Sequence, residues 1–439
     1  MSKMTADSIF HNKYNLKAMT NIPYKVVIVN HSDSLGGASV VSYRLMHALR
    51  RAGVDTRMVV YQKNTDDNFV SEALCRSARI LSFAWEHIAI MCHNGFDRNN
   101  LFKVSIANAS TRPNMHPWIK EADIVVLNWV NQGMMSLKDV ERLHKAGKKI
   151  VWTMHDMWNL TGVCHHAYEC TGYMSECGFC PYVKGGRSAN DISYTTWKRK
   201  LKLYKKVPIH FVAVSNWLHD RCRESLLMRG MDITVIPNAF PTKSYSIHPT
   251  VALDSMGFDY KRRIILMGAA RLDDPIKGLD YAIDALNILY DSRRDIADDS
   301  IAVFFGDIRN PNAFSWLKFP HCHIGMIQDK KRLSQLYATS RVVLSTSLYE
   351  TLPGTLIEGM AAGCVPVSFG RGGQDDIYDH LITGYMADYK SAQSIADGIT
   401  WALDSNIDRQ KLHDEVEKRF SSEVIAAEYI SLFQRIIDN

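Results

Sequence analysis

The sequence predicts an α/β protein of two Rossmann-like, doubly wound domains facing a central cleft. Three observations predict it. The chain has 439 residues, about two to three times a usual domain. Short apolar runs alternate with helical patterns in two separate series. A glycine turn stands between the first strand and the first helix, as in a parallel α/β unit.

Residues 1–22 are polar and unpatterned and read as a loose N-terminal arm. Lys25-Val26-Val27-Ile28-Val29-Asn30 reads as a buried strand, closed by Ser34-Leu35-Gly36-Gly37. A helical pattern follows from Ala38 to Arg51, then a β-rich run from Thr56 to Tyr61. Further strands are predicted at Ile124–Leu127, Ile150–Thr153, Phe211–Val214 and Thr234–Ile236. The two prolines of Ile236-Pro237-Asn238-Ala239-Phe240-Pro241 break the alternation, so a first domain is predicted over 23–240 and a linker over 241–257. The second series, 258–405, has strands at Ile264–Met267, Ile301–Phe305, Val342–Ser345 and Val365–Ser368, and a helix from Leu279 to Tyr290. C-terminal helices over 406–439 include an amphipathic one from Val416 to Ile437, expected to cross back to the first domain.

Composition narrows the function classes. With 46% hydrophobic, 22% charged and 10% aromatic residues, the chain is neither disordered nor fibrous. No apolar run approaches the roughly 18–20 residues of a membrane span, and the first twenty residues carry no secretory core. Fifty-two basic against forty-six acidic residues give +6, too little to argue for nucleic acid, and none is expected as a partner. Nine cysteines, an odd number in a long chain, fit a reducing compartment, so a cytoplasmic location is expected.

Several residues carry candidate chemistry. Gly36 and Gly37 let a ligand approach the backbone where a helix start offers free amides, although the dinucleotide spacing G-x-G-x-x-G is absent. Arg271 and Lys277 on one strand-end loop could hold a diphosphate, unless Asp273 and Asp274 neutralise both. The stretch from Ser345 to Pro366 places Glu350 just past a strand. Pro353 suits a first helical turn, so Leu352, Pro353, Gly354, Thr355 and Leu356 form a helix start with open amides. Glu358 follows on the early turns of a helix from about Thr355. One carboxylate can grip sugar hydroxyls and the other a ribose, with the helix end facing phosphate. No D-x-D sequence occurs, so no catalytic divalent metal is expected.

Glu350-x7-Glu358, followed by Gly359-Met360-Ala361-Ala362-Gly363-Cys364-Val365-Pro366, resembles the signature of the retaining, nucleotide-sugar-dependent glycosyltransferases of family 4, fold type GT-B ("glycosyl transferases group 1"). Gly36-Gly37-Ala38, Ala213-Val214-Ser215, Ile236-Pro237-Asn238, Arg271-x5-Lys277-Gly278 and Gly384-Tyr385 resemble further family segments in the family's order, over about 24–405. Ala270, and Gln374-Asp375-Asp376 after Gly372-Gly373, depart from the usual pattern and bear on donor choice. The resemblance implies transfer of a sugar from a nucleotide-diphosphate donor, such as a UDP-sugar, with retention. The acceptor would be a glycan or a lipid-linked oligosaccharide, as in bacterial surface-polysaccharide synthesis. It implies catalytic or donor-binding roles for Glu350, His155, Arg271, Lys277 and Glu358. His155 follows a strand and could bond a sugar hydroxyl or help deprotonate an acceptor. A sucrose-synthase-like or phosphorylase-like enzyme of the same fold, and a non-catalytic binding partner in an assembly, are the alternatives.

Two clusters stand outside that pattern. Cys164, Cys170, Cys177 and Cys180 fall in an insertion at 159–187, with His165 and His166 beside the first. Four thiolates would satisfy a structural zinc or an iron–sulfur cluster; two disulfides or four reduced thiols are the other readings. The run from Trp197 to Lys206 concentrates six cations among aromatic and leucine neighbours, which suits either peripheral contact with anionic lipid or a solvated basic face.

Overall fold

The computed structural model describes residues 23–73, 76–98, 100–183, 188–249 and 261–438. The expected arm at 1–22 and most of the expected linker lie outside the described residues. The chain divides into two compact units, Met1–Ala239 with Ser422–Asn439, and Phe240–Ser421.

The first unit runs β1 (Lys25–Ser32), α1 (Gly37–Arg51), β2 (Asp55–Gln62), β3 (Val70–Glu72), α2 (Arg76–His93), α3 (Pro117–Glu121) and β4 (Ile124–Leu127). It continues with α4 (Leu137–Lys145), β5 (Lys149–Met154), α5 (Ile192–Lys206), β6 (Ile209–Ala213), α6 (Asn216–Glu224) and β7 (Asp232–Val235). Its strands form one parallel sheet in the order β3-β2-β1-β4-β5-β6-β7. Val26 to Val29 are almost wholly buried, which is why β1 reads as a continuous apolar run rather than an alternating one.

The second unit contains β8 (Arg263–Arg271), α7 (Leu279–Ser292), α8 (Arg294–Asp299), β9 (Ser300–Asp307), β10 (His321–His323) and α9 (Lys330–Thr339). Then come β11 (Val342–Ser345), α10 (Gly354–Ala361), β12 (Val365–Phe369), β13 (Tyr385–Ala387), α11 (Ala392–Asp404) and α12 (Arg409–Phe420). Its parallel sheet has the order β10-β9-β8-β11-β12-β13. The last helix, α13 (Ser422–Asp438), belongs to the first unit.

Two features differ from the sequence expectation. Strands β3, β10 and β13 were not anticipated; each has three residues at a sheet edge, too short to show a period. The tail helix expected from Val416 to Ile437 is two helices. It breaks at Ser421, whose backbone is extended, where the Phe240 amide donates to the Phe420 carbonyl at 2.8 Å. Helix α12 stays with the second unit. Helix α13 sends Ile425, Tyr429, Ile430 and Phe433 into the core around Val26, Ile28, Leu45 and Leu49. The Tyr429 hydroxyl and Thr153 Oγ1 lie 2.9 Å apart in that core.

Candidate active site

In each sheet the strand order reverses once, between β1 and β4 and between β8 and β11. Loops leaving the carboxyl ends of strands diverge at such a point and leave room for a ligand. Most of the sequence-predicted site residues stand at these two places.

In the second unit Arg271 ends β8, Lys277 ends the tight turn Pro275–Lys277, and Glu350 follows β11. The turn is stitched to the β11 side: Thr346 Oγ1 donates to the carbonyls of Lys277 (3.1 Å) and Gly278 (2.8 Å), and the Leu348 amide to that of Ile276 (2.8 Å). Gly278 is required here. Its φ is +62°, and a Cβ would lie 2.2 Å from the Thr346 carbonyl oxygen. The result brings Lys277 Nζ to 2.5 Å from Glu350 Oε1, across 73 positions of sequence. That carboxylate holds the ammonium above the usual lysine pKa despite partial burial.

Arg271 Nη2 pairs with Asp274 at 2.8 Å, and its Nε lies 3.6 Å from Asp273 Oδ1 without a hydrogen bond on either atom. Asp273 Oδ2 accepts the amides of Arg309 and Asn310, each at 2.8 Å. The expected neutralisation by Asp273 and Asp274 is thus met for Arg271 alone, since Lys277 turns to Glu350.

Helix α10 starts at Gly354 with Pro353 as its cap residue, one position earlier than expected. No side chain caps it, so the amides of Gly354, Thr355 and Leu356 have no intrahelical acceptor. Leu352 and Pro353, just before the helix, are buried, and Glu358 is half-buried on the next turn. The Gly373 amide donates to the Glu350 carbonyl at 3.0 Å, tying the β12 loop to the same point. Beside it Gln374 is fully buried, and neither its amide oxygen nor its nitrogen has a partner.

At the first sheet, Gly36 (φ +89°) caps α1 and Gly37 begins it, again without a side-chain cap. Nothing lies within 4 Å of a Cβ built on either, so the turn is open to an incoming group. His155, after β5, is bonded through Nε2 to Asn128 Oδ1 at 2.7 Å. Both border a small cavity with Ser42 of α1 and Tyr429 of α13. Burial lowers the His155 pKa to about 4, against a weaker upward pull from Asp156, so the ring is neutral at neutral pH. Asp156 accepts from Trp129 Nε1 (2.9 Å), the Trp158 amide (2.8 Å) and His165 Nδ1 (2.6 Å), and His165 Nε2 lies 3.0 Å from Ser105 Oγ. Burial would raise its pKa, but His165 and these hydrogen bonds prevail and bring it to about 2.

Sequence reasoning missed Asn128, the pairing of Asp156 with His165, and the isolation of Gln374. A polar residue directly after a strand was the available signal for Asn128 and Asp156; no signal links Asp156 to Ser105.

Cys164, Cys170, Cys177 and Cys180 all line one cavity of about 20 Å³ and are free thiols, so the disulfide reading is not met. Burial pushes the Cys177 thiol up to about 11 and raises Cys164 and Cys180 as well. Among the described residues no three His, Cys, Asp or Glu side chains stand arranged to hold a metal ion. The basic run lies on α5, where Trp197, Lys200, Leu203 and Tyr204 are buried. Lys200 Nζ donates to the carbonyls of Trp158 (2.5 Å) and Thr161 (3.0 Å) and sits 3.4 Å over the Trp158 ring. Of the aromatic and leucine neighbours, Trp197, Leu203 and Tyr204 are therefore core residues and Leu201 is half-buried, while Lys198, Lys202 and Lys205 are exposed. Among the described residues no helix is long and apolar enough to cross a membrane.

Residues 35–244 match the family description "Glycosyltransferase Family 4", and residues 255–419 match "Glycosyl transferases group 1". Among curated protein sequences none matches the chain significantly. The fold is similar to that of HepE from Anabaena, solved with UDP and glucose (TM-score 0.59, 15% identity, 94% of this chain and 99% of that one). It is also similar to sucrose-phosphate synthase from Thermosynechococcus elongatus (0.64, 14%, 94% and 99%) and to the lipopolysaccharide outer core galactosyltransferase WaaB (0.57, 14%, 94% and 99%). With the two matches spanning most of the sequence and both sheets arranged as in GT-B enzymes, the chain belongs to the glycosyltransferases of the family 4 type.

Proposed function

We propose that the protein transfers a sugar from a UDP-sugar or related nucleotide-diphosphate donor to a glycan or lipid-linked acceptor, with retention of anomeric configuration. The observation that carries this reading is the Lys277–Glu350 pair, 2.5 Å apart beside the uncapped start of α10 at a switch point. A similar structure, that of Anabaena HepE, holds UDP-glucose, which supports the donor class.

In this mechanism the donor diphosphate replaces carboxylates as the partner of two cations. Arg271 leaves Asp274, Lys277 leaves Glu350, and the α10 amides complete a cradle of fixed donors. The freed Glu350 turns to donor sugar hydroxyls, and Glu358 binds the ribose. As the glycosidic bond lengthens, negative charge grows on the departing phosphate, where the cations already stand, while the sugar gains oxocarbenium character. His155, neutral and held by Asn128, would bond a sugar or acceptor hydroxyl. The chemistry asks for no divalent ion, because Arg271 and Lys277 supply the countercharge.

Glu350→Gln tests the reading directly. It keeps the shape, frees Lys277, and should lower kcat far more than thermal stability, while the product's anomeric configuration, read by NMR, matches the donor's. An inverted product would refute retention, and unchanged kcat would remove Glu350 from the site.

We also propose a structural zinc held by the four cysteines, favoured by their sharing one cavity with room for a single ion. Binding would draw the sulfurs together and release their protons. Elemental analysis of protein purified without chelator decides it, since folded, active enzyme free of zinc leaves four reduced thiols.

A further inference from the structure

Helix α2 is amphipathic the wrong way round. Its buried positions include Arg79, Ser82, Glu86 and His87, none more than 9% exposed. Ile80, Leu81, Trp85 and Ile88 face outward at 57, 70, 63 and 52% exposure. A single exposed apolar residue needs no explanation, but a row along a helix does.

The polar side is committed. Glu86 Oε1 accepts the amides of Ile106 (2.8 Å) and Ala107 (2.9 Å), and Oε2 accepts that of Gly133 (2.6 Å). Ser82 Oγ donates to the Gly133 carbonyl, and Arg79 donates to Glu72 and to the Tyr61 carbonyl. Rolling the helix to hide its apolar row would strand a buried carboxylate and the amides it serves. The fold therefore fixes the apolar face outward.

Two further exposed aromatics follow the helix in sequence. Phe96, on a left-handed backbone (φ 60°), is 70% exposed, and Phe102 is 62% exposed. The border is cationic: Arg76 at the start, then Arg98 and Lys103 past the end, are all exposed. Glu86, buried, is the one acid in the helix sequence, and Asp97, half-buried, follows it. An apolar row with a central tryptophan and a rim of cations matches a bilayer surface with anionic headgroups, where apolar side chains enter the acyl boundary and cations meet phosphate.

We propose that α2 and the following loop form a membrane-docking surface, lying in the plane of a bilayer with the Leu81–Trp85–Ile88 row inserted among lipids. Basic helix α5, whose Trp197, Leu203 and Tyr204 are buried, contributes charge at most. The inference does not depend on the transfer reaction, because its readout is binding.

The test is sedimentation of the full chain with vesicles of phosphatidylcholine alone or with added phosphatidylglycerol. The protein should pellet with the mixed vesicles, more weakly at high salt and less with phosphatidylcholine alone. The double variant L81S/W85S should lose vesicle affinity by about ten-fold or more, as expected when two inserted side chains are removed. Its melting temperature should stay at the wild-type value, since both sites are exposed. K202E/K205E on α5 is the control and should keep most of the binding. Equal pelleting of wild type and L81S/W85S overturns the proposal. So does a wild-type dimer in sedimentation velocity that this variant dissociates while vesicles bind neither, for the row would then be an interface between copies.

Discussion

The switch points of the two sheets share a topology but differ in how their polar groups are held. In the second unit Arg271–Asp274 and Lys277–Glu350 are two ion pairs partly open to solvent. In the first, Asp156, His165 and Ser105 form a buried chain of hydrogen bonds with Trp129, while His155 sits neutral against Asn128. Partly exposed pairs contribute little to stability and can change partners; a buried network cannot be altered without loosening the fold. The second sheet thus carries charges that a ligand can claim, and the first carries a rigid frame. Four experiments can break or sharpen this contrast.

The largest effect should come from Asp156→Ala. It strands the His165 ring and the Trp129 indole in a buried site and should destabilise the first unit by about 3–5 kcal/mol, read from denaturant melts. A melt like that of the wild type would show the frame to be dispensable.

Arg271→Ala and Lys277→Ala should do the reverse. Each should cost about 2–4 kcal/mol in kcat/KM while shifting stability by less than about 1 kcal/mol. If either unfolds the protein without touching kcat/KM, these cations serve the fold and the contrast fails.

Acid should weaken the first unit in particular. His31 and His155 have folded pKa values lowered to about 4 by burial, against 6.5 unfolded. Between those values the unfolded chain binds more protons, so stability is complete above pH 6.5 and falls as pH drops towards 4. Each group contributes at most about 1.4 kcal/mol per pH unit. Asp156 acts lower, its contribution being lost only as pH falls from 3.8 towards 2. A melting temperature constant from pH 7 to 5 would contradict the buried neutral rings.

The smallest effect is expected at Gln374. Gln374→Leu removes a buried amide with no partner and should stabilise the second unit by about 1 kcal/mol. If Gln374 instead meets a donor hydroxyl in the complex, the same change should raise the donor KM while leaving that stability gain in place.

The charged switch point was the more legible of the two, and the reason is physical. Its residues lie on two short stretches, 271–278 and 350–358, where strand end, turn and helix start follow at fixed spacing. The frame is spread from Ser105 to His165, and burial, which gives Asp156 its character, leaves no mark in local sequence. Strands such as Val342–Ser345 were readable because both faces are buried; three-residue edge strands were not. Helix α5 shows the limit of composition: six cations in ten residues suggested a surface, yet the helical period sends Trp197, Lys200 and Tyr204 inward. On α2 an apolar pattern would ordinarily mark the buried side, and Glu86 inverts it.

The return of α13 to the first unit also orders events during synthesis. A chain emerging from the ribosome has every strand of that unit by Val235, yet its core around Leu45 and Tyr429 waits for Ser422–Asp438. The second unit can close entirely within 240–421 before the first is finished. A nascent chain stopped at Ser421 would therefore carry its defect near its beginning, in an apolar seam along α1 and β1. Premature termination, or a protease trimming the tail, would be felt at the far end of the sequence.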